Sequence, residues 1–219
     1  MRIVIVGGHG KIALLLAEAA ARRGDTVDSV IRDPRHSDEV IATGARPVLL
    51  DLESNTATEL ASAVRGSDAV VFAAGAGQGS GVARKYTVDR DGSVLLADAA
   101  ESAGTRRFVQ ISSMGAGQPP APGSDEVWAA YIDAKTQAEQ DLRRRDLDWT
   151  ILRPGRLLDT PGTGLIRLAA PPLGRGDIPR ADVAATIAEL VHTPATAGAT
   201  LELVTGETPI ADAVAAAVS

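Results

Sequence analysis

The feature that most constrains the fold is a glycine-rich turn close to the start of the chain. Residues 2–6 form a short apolar run rich in β-branched side chains, and residues 14–21 are strong helix formers that stop before Gly24. The segment between them reads Gly7-Gly8-His9-Gly10-Lys11-Ile12-Ala13. A strand, a glycine turn and a helix in this order are the context in which a glycine motif becomes informative.

The small residues of this turn have distinct physical roles. Gly7 permits a tight turn, Gly10 lets the backbone approach a pyrophosphate, and Ala13 lets the helix pack closely on the strand. The free N–H groups and the positive dipole end of the helix then face the phosphates. We therefore predict a dinucleotide site formed by Gly7, Gly8, His9, Gly10, Lys11 and Ile12. The alternative, a turn that binds nothing, is disfavoured because a buried strand at residue 2 feeding such a turn has few other uses.

Strand and helix patterns alternate along the rest of the first two thirds of the chain. Further strands are predicted near residues 26–31, 47–50, 68–74, 107–111 and 149–152, and helices near residues 37–43, 85–103 and 126–145. A capping box from Thr56 to Glu59 opens one more helix, which ends at Gly66. This alternation predicts an α/β fold with a Rossmann-type, doubly wound parallel sheet and helices on both faces. The ligand crevice should lie at the carboxyl ends of the first and fourth strands, where the strand order reverses.

The length of 219 residues predicts a single domain. Residues 1–153 would form the dinucleotide-binding core, and residues 154–219 a small C-terminal part that faces the substrate. Proline and glycine are frequent in that part, which still predicts a helix near 181–191, a strand at 200–204 and a last helix capped by Thr208, with Pro209 at its first position.

Composition excludes several classes of function. The formal charge of −6 argues against nucleic acid or an anionic membrane as the main partner. The chain has no cysteine, and its three histidines are scattered, so no disulfide, thiolate nucleophile or metal site is predicted. No apolar run reaches the roughly 18 residues of a membrane span, and the chain starts with a core strand instead of a signal peptide. We therefore expect a cytoplasmic protein with a small-molecule substrate, as a monomer or a small homo-oligomer.

The end of the second strand bears on which dinucleotide is bound. An acid at this position accepts a hydrogen bond from the ribose 2′-OH of NAD, whereas an arginine accommodates the 2′-phosphate of NADP. Arg32 ends the strand and Arg35 follows it, which favours NADP. The alternative is NAD, with the carboxylate of Asp33 facing its ribose. However, Asp33-Pro34 is typical of a turn in which the aspartate bonds its own backbone.

A tyrosine and a lysine in the helix near 126–145 indicate chemistry. Tyr131 and Lys135 are one helical turn apart, so both project from one face. A lysine ammonium near a phenol stabilises the phenolate and lowers its pKa, which makes the tyrosine usable as a proton donor or acceptor near neutral pH. Only three of the 22 basic residues are lysines, so each position is informative. The bland alternative is a buried tyrosine beside a surface lysine.

Together these residues resemble the short-chain dehydrogenase/reductases of the extended-to-atypical kind, close to the NmrA-like and biliverdin-reductase-B-like NAD(P)H-binding proteins. The resemblance covers nearly the whole chain. It implies that Asp51 and Leu52 contact adenine, that the segment after the fourth strand (Ala73, Ala74 and Gly75) lines the ribose side, and that Pro154 borders the nicotinamide.

The same resemblance implies a Ser–Tyr–Lys catalytic set. By its register in the strand near 107–111, Ser113 is the serine of the set, with Tyr131 and Lys135 as its partners. Ser112, Tyr131 and Lys135 also count with the cofactor-binding residues. One departure is Asp89, which stands where these enzymes often have an asparagine. The short C-terminal part argues against a nucleotide-sugar epimerase.

The expected function is an NADP(H)-dependent oxidoreductase of a small or flat carbonyl- or quinone-type substrate. In this hypothesis Tyr131 transfers the proton, and Lys135 lowers the pKa of Tyr131 and holds the nicotinamide ribose. Ser113 orients the substrate oxygen. The alternative is a non-catalytic NADP(H)-binding redox sensor of NmrA type.

Overall fold

The computed structural model describes residues 1–77, 79–119 and 123–217. Its strands are β1 (Arg2–Val6), β2 (Thr26–Ile31), β3 (Arg46–Leu49), β4 (Ala69–Phe72), β5 (Arg107–Ile111), β6 (Asp148–Pro154), β7 (Arg156–Leu158), β8 (Leu165–Ala169), β9 (Asp177–Pro179), β10 (Ala199–Thr205) and β11 (Thr208–Pro209). Its α-helices are α1 (Lys11–Arg22), α2 (Ser37–Ala42), α3 (Ala57–Val64), α4 (Val82–Arg84), α5 (Asp91–Ala103), α6 (Glu126–Leu142), α7 (Arg180–Val191) and α8 (Ile210–Ala216). The segment Lys85–Arg90 is π-helical and joins α4 to α5 without a break, so the predicted long helix starts a few residues early.

The central sheet confirms the predicted doubly wound topology. Its strand order is β11-β8-β10-β6-β5-β4-β1-β2-β3, and the seven strands from β10 to β3 pair in parallel. The chain runs outward from β1 through β2 to β3 and then crosses to β4 on the other side of β1. This reversal opens a crevice at the carboxyl ends of β1 and β4, as expected.

Both faces of the sheet are buried, as the alternating side chains of β1 illustrate. Ile3 and Ile5 face one apolar cluster, which includes residues of α1 and α7, whereas Val4 and Val6 face another with residues of α3 and α5. All four side chains are fully buried. Sheets of this kind need helices on both faces, which is why the central strands β1 and β4 are apolar nearly throughout.

The C-terminal part corrects two details of the prediction. The strand β8, which the sequence analysis missed, runs antiparallel to β10 and β11, so the sheet is not wholly parallel. Thr208 does not cap the last helix: it pairs with Ile166 in the sheet, and Pro209 stands immediately before α8 with no side-chain cap. The predicted strand at 200–204 is confirmed as β10, which extends the sheet beside β6. The single-domain assignment and the substrate-facing role of residues 154–219 stay predictions.

Candidate active site

The glycine turn after β1 is closely packed against two neighbouring strands. Gly7 has φ +84°, and a Cβ atom there would lie 2.5 Å from the Cα atom of Ala74. A Cβ atom on Gly8 would lie 2.6 Å from the side chain of Ser29. Only glycine fits either position, so the backbone itself forms this wall of the crevice.

The first turn of α1 is arranged to receive an anion. Gly10 stands at the N-cap in extended conformation, makes no side-chain cap hydrogen bond, and is followed by no acidic residue in the first turn. The N–H groups that begin a helix have no partner inside it, and the dipole favours negative charge there. Ala13 is fully buried, consistent with its predicted role in close packing. The turn therefore fits a pyrophosphate.

A cleft of about 280 Å³ opens in front of this turn, at the carboxyl ends of β1, β2, β3 and β4. Ten of the predicted cofactor-binding residues line it, namely Gly7, Gly8, His9, Gly10, Arg32, Asp51, Leu52, Ala73, Ala74 and Gly75. Other lining residues were not predicted, among them His36, Glu53, Arg84 and Val88. The segments after β1, β2, β3 and β4 that were predicted separately thus meet in one cleft.

Charges of both signs stand at the β2 end of the cleft. Arg32 is about half exposed, and its guanidinium lies 3.5 Å from the carboxylate of Glu53. Arg84 reaches the same carboxylate from α4 at 2.6 Å, and Thr87 donates to it at 2.8 Å. The hydrogen bond from Arg84 is the main reason that the pKa of Glu53 is held below its usual range. Two arginines therefore share one carboxylate here.

Asp33 and Arg35 are paired with each other instead of lining the cleft. Asp33 accepts a hydrogen bond from the backbone N–H of Arg35 at 3.0 Å, which confirms the predicted turn. The guanidinium of Arg35 binds the same carboxylate, and its side chain is 86% exposed. These hydrogen bonds from Arg35 lower the pKa of Asp33. The structure does not bring Arg35 to the cleft.

Two histidines form a stacked pair on the cleft wall. The rings of His9 and His36 are 3.5 Å apart between centroids and nearly parallel. The Nε2 atom of His9 lies 3.1 Å from the carboxylate of Glu39. The pair links the glycine turn to the segment after β2, a contact that no local pattern in the sequence predicts.

The side chains of Lys11 and Ile12 point away from the cleft. Lys11 binds Asp159 at 2.7 Å, and Arg180 donates to the same carboxylate at 2.6 Å. Ile12 packs against the apolar cluster beside α1. Only the backbone N–H groups of these two residues are available to an anion at the helix start.

The predicted Tyr131 and Lys135 pair lies on α6, next to the end of β4. Lys135 is only 3% exposed, and its Nζ atom lies 5.8 Å from the ring centroid of Tyr131 and 5.6 Å from that of Phe72. Phe72 immediately precedes the segment from Ala73 to Gly75 that lines the cleft. The alternative in which Lys135 is a surface residue is therefore wrong.

Asp89 neutralises Lys135 from the π-helical segment. The two charged groups are 3.1 Å apart, both buried, and Lys135 also donates to the carbonyl of Ile111 at 3.2 Å. Burial alone would lower the pKa of Lys135, but the neighbouring acidic groups, with Asp89 foremost through its charge and its hydrogen bond, together outweigh burial and raise the pKa. Asp89 also accepts from the backbone N–H of Ala76 at 3.1 Å. This residue therefore ties the lysine to the cleft wall.

The two serines after β5 have different environments. The hydroxyl of Ser112 donates at 2.6 Å to Glu139, a fully buried carboxylate that Arg153 also binds. The hydroxyl of Ser113 is half-buried and donates only to the carbonyl of Met114, at 3.2 Å. The side chain of Ser112 is committed to Glu139, whereas that of Ser113 remains free to accept. Pro154 is buried, and its carbonyl accepts from Met114.

The described residues offer neither a metal site nor a membrane span. No group of three or more His, Cys, Asp or Glu side chains in this part of the chain has a geometry that would hold a metal ion. Within the same residues, no helix is both long and apolar enough to cross a bilayer. The cytoplasmic location, the lack of nucleic-acid partners and the oligomeric state stay predictions.

The fold and the cleft define a Rossmann-type nucleotide-binding protein, and comparison with known proteins gives its family. The family model for NAD(P)H-binding proteins matches residues 7–194, so the chain belongs to this family. It is 34% identical to the uncharacterized sugar epimerase YhfK of Bacillus subtilis over 97% of this chain and 98% of that protein.

Two solved structures are also similar. A Bacillus halodurans protein, provisionally named an NAD-dependent epimerase/dehydratase, has 34% identity and a TM-score of 0.91 over 99% of both chains. ChuY, an anaerobillin reductase from Escherichia coli O157:H7, has 28% identity and a TM-score of 0.79, covering 94% of this chain and 97% of that one. The predicted resemblance to the atypical short-chain dehydrogenase/reductases is thereby confirmed. The cofactor is a nicotinamide dinucleotide.

Proposed function

We propose that this protein is an NADP(H)-dependent oxidoreductase that acts on a small or flat carbonyl- or quinone-type substrate through Ser113, Tyr131 and Lys135. The observation that carries the proposal is the buried position of Lys135 beside the ring of Tyr131, 5.8 Å away, next to a cleft lined by a glycine turn. A buried charged group near a cleft is expensive to maintain and is typical of functional sites.

The proposed cofactor contacts follow from the lining of the cleft. The glycine turn and the first N–H groups of α1, contributed by residues 7–12, would hold the pyrophosphate. Asp51 and Leu52 would contact the adenine, and Ala73, Ala74 and Gly75 the adjacent ribose. Lys135 and Pro154 would border the nicotinamide half.

The preference for NADP over NAD rests on Arg32. Its half-exposed guanidinium lines the cleft at the end of β2, where a 2′-phosphate is expected. Arg84 and His36 line the same end and add cationic or hydrogen-bonding groups. Arg35, which was also predicted, is left out because Asp33 binds its guanidinium. Asp33 does not compete for the ribose, because that same pair occupies it.

The chemistry assigned to this chain is proton transfer and orientation. When bound, the nicotinamide cofactor supplies or receives the hydride. The hydroxyl of Tyr131 transfers a proton to or from the substrate oxygen, while the charge of Lys135 favours the phenolate. The free hydroxyl of Ser113 holds that oxygen in place, and this orientation contributes to the rate. Ser112 has no side-chain role in the reaction, because Glu139 occupies its hydroxyl.

The limited length of the C-terminal part supports a small or flat substrate. After Pro154 the chain contributes β8, β10 and α7 to the body of the fold, which leaves little material for a nucleotide-sugar pocket. We therefore favour reduction or dehydrogenation, the activity named for the anaerobillin reductase, over the epimerisation named for the Bacillus subtilis relative.

A non-catalytic redox sensor is the second candidate, and one observation favours it. Asp89 stands where an asparagine is typical and offsets the charge of Lys135, so the pair applies less positive charge to Tyr131 than a lone lysine would. A sensor should differ in its affinity for the oxidised and reduced cofactor without turning over.

A substrate screen separates the two candidates. The purified protein is mixed with NADPH and a panel of carbonyl and quinone compounds, and the loss of NADPH absorbance is followed. An oxidoreductase gives steady turnover with at least one compound, and turnover disappears in the Tyr131→Phe variant. Binding of NADPH without turnover on any compound, together with unequal affinities for NADPH and NADP, favours the sensor.

A further inference from the structure

Lys85 is a second buried lysine beside Tyr131. It lies in the π-helical segment, is 8% exposed, and its Nζ atom is 5.6 Å from the ring centroid of Tyr131. π-helical turns inside α-helices occur frequently at functional sites. Lys85 and Lys135 thus approach the same ring from two different elements, at nearly equal distances.

The two lysines differ in their partners. Lys135 is neutralised by Asp89 at 3.1 Å, whereas the ammonium of Lys85 donates to the backbone carbonyl of Gly77 at 2.9 Å. Among the described residues, no carboxylate lies within ion-pair distance of Lys85. A buried charge without a counter-charge is costly and persists where something else requires it.

Several other charged groups on the elements around Tyr131 have ion-pair or hydrogen-bond partners. On α4 and the π-helical segment, Arg84 is bound by Glu53 and Arg90 by Asp91. On α6, Asp133 accepts from the hydroxyl of Tyr86 and from Gln137, and Glu139 is bound by Arg143 and Arg153. Among the described lysines and arginines of α4, the π-helical segment and α6, Lys85 is therefore the cation that faces this ring without an ion-pair partner.

We propose that Lys85 is a positioning residue for Tyr131: because Asp89 offsets part of the charge of Lys135, the ammonium of Lys85 adds the positive charge that, with Lys135, stabilises the phenolate. The proposal rests on the proposed function, in which Tyr131 transfers a proton. The effect of Lys85 on the charge near Tyr131 can nevertheless be measured in the apoprotein.

A purely structural role for Lys85 must be separated from this one. The hydrogen bond to Gly77 fastens the glycine-rich loop after β4, and a tether would need a donor but no charge. Lys85→Gln keeps a donor and removes the charge, whereas Lys85→Arg keeps both. These two variants form a matched pair.

The test is a spectroscopic titration of Tyr131 in the cofactor-free protein. The chain has two tyrosines, so in a Tyr86→Phe background the ultraviolet absorbance of tyrosinate reports Tyr131 alone. Lys85→Gln is expected to move the midpoint of this titration upward by about one pH unit, a tenfold change in the acid dissociation constant of the phenol. The separate Lys85→Arg variant should have the same midpoint as the parent. An unchanged midpoint in Lys85→Gln, or an equal shift in both variants, would overturn the proposal.

A charge-balanced double variant provides a second readout. Asp89→Asn removes the charge that offsets Lys135, so combining it with Lys85→Gln restores the net charge near Tyr131. The double variant should titrate close to the parent, and a midpoint as high as that of Lys85→Gln alone would contradict the account. Thermal denaturation verifies that each variant is folded. Because these titrations use neither cofactor nor substrate, a failure to bind NADPH would defeat the proposed function without deciding the role of Lys85.

Discussion

The two halves of the candidate site, the cleft in front of α1 and the surroundings of Tyr131, differ in the residue types that form them. In the cleft in front of α1, glycines, alanines and apolar side chains such as Leu52 and Val88 form much of the wall, and the partly exposed charged side chains of Arg32, Arg84 and Glu53 stand at the rim. Around Tyr131, the charged groups Lys135 and Asp89 are buried and in contact. Under the proposed function, the first half would bind the cofactor by shape and backbone donors, and the second would control the charge at the phenol of Tyr131.

This difference has consequences for substitution. Charges at an exposed rim are screened by water and contribute little each, whereas removing one member of a buried pair leaves the other without compensation. Changes in the cleft should therefore alter which cofactor binds and how tightly. Changes around Tyr131 should alter turnover while the cofactor still binds.

The largest expected effect is that of Tyr131→Phe. The variant keeps the ring that packs against Trp128 and loses only the hydroxyl, so the fold should be preserved. We expect kcat to fall by at least about a hundredfold, the usual contribution of a proton-transferring group. The affinity for NADPH, measured by fluorescence titration, should change less than about twofold, because the cleft lining does not include this residue. Retained turnover would remove Tyr131 from the mechanism.

Ser113→Ala and Ser112→Ala are expected to affect different properties, although the two serines are adjacent in the sequence. The first should lower turnover and the second should lower stability. Removing the free hydroxyl of Ser113 should lower kcat by roughly thirtyfold, the equivalent of about 2 kcal/mol for a hydrogen bond to a developing charge. Removing that of Ser112 deprives the buried Glu139 of a donor, so stability should fall by about 1 kcal/mol while kcat is retained. Steady-state kinetics gives the kcat of both variants, and urea denaturation gives their free energies of unfolding. The reverse pattern would exchange the roles of the two serines.

Asp28→Asn is a control on buried charge outside the site. Burial alone would raise the pKa of Asp28, but the hydrogen bonds and the charges of Arg46 and Arg2 together outweigh burial and lower the pKa. A carboxylate whose pKa is lower in the folded state stabilises the fold above its unfolded pKa of about 3.9, and this contribution is lost as the pH falls through the folded value. At pH 7 the variant should be less stable by roughly 2 kcal/mol, and the difference should shrink in acid. Urea denaturation at several pH values measures it, and NADPH affinity should not change.

Arg32→Gln should give the smallest effect, confined to the cleft. The affinity for NADPH is expected to fall by about tenfold, since one contact to a 2′-phosphate is lost while Arg84 remains nearby. The affinity for NADH and the kcat at saturating NADPH should stay within about twofold. If NADH affinity fell equally, Arg32 would serve the cleft as a whole and not the 2′-phosphate.

How far the sequence predicted this site depends on the distance along the chain between the residues involved. The glycine turn, Ala13 and Arg32 belong to one strand–turn–helix–strand unit, so local pattern was enough to predict their positions. The capping box at Thr56 was predicted and is present for the same reason. The strand β8 was missed because it is a short segment between proline- and glycine-rich stretches, and only its pairing with β10 makes it a strand.

The contacts that set the charge near Tyr131 were beyond local pattern. Asp89 was noticed as a departure from the related enzymes, but its pairing with Lys135 depends on how the π-helical segment packs on α6. Lys85 is 46 positions before Tyr131 in the sequence, and its approach to that ring is a tertiary contact. The rarity of lysine in this chain was the one available signal, since two of its three lysines flank the same tyrosine.

The most direct test of the central claim, that this cleft binds NADP(H) beside Tyr131, is a fluorescence titration of the purified protein with NADPH and NADH in parallel. We predict saturable binding of NADPH, with NADH weaker by at least about tenfold, as expected for an arginine at the end of β2. Equal affinities would contradict the role of Arg32 and the preference for NADP. No binding of either dinucleotide would contradict the account of the glycine turn, and with it every cofactor contact proposed for this chain.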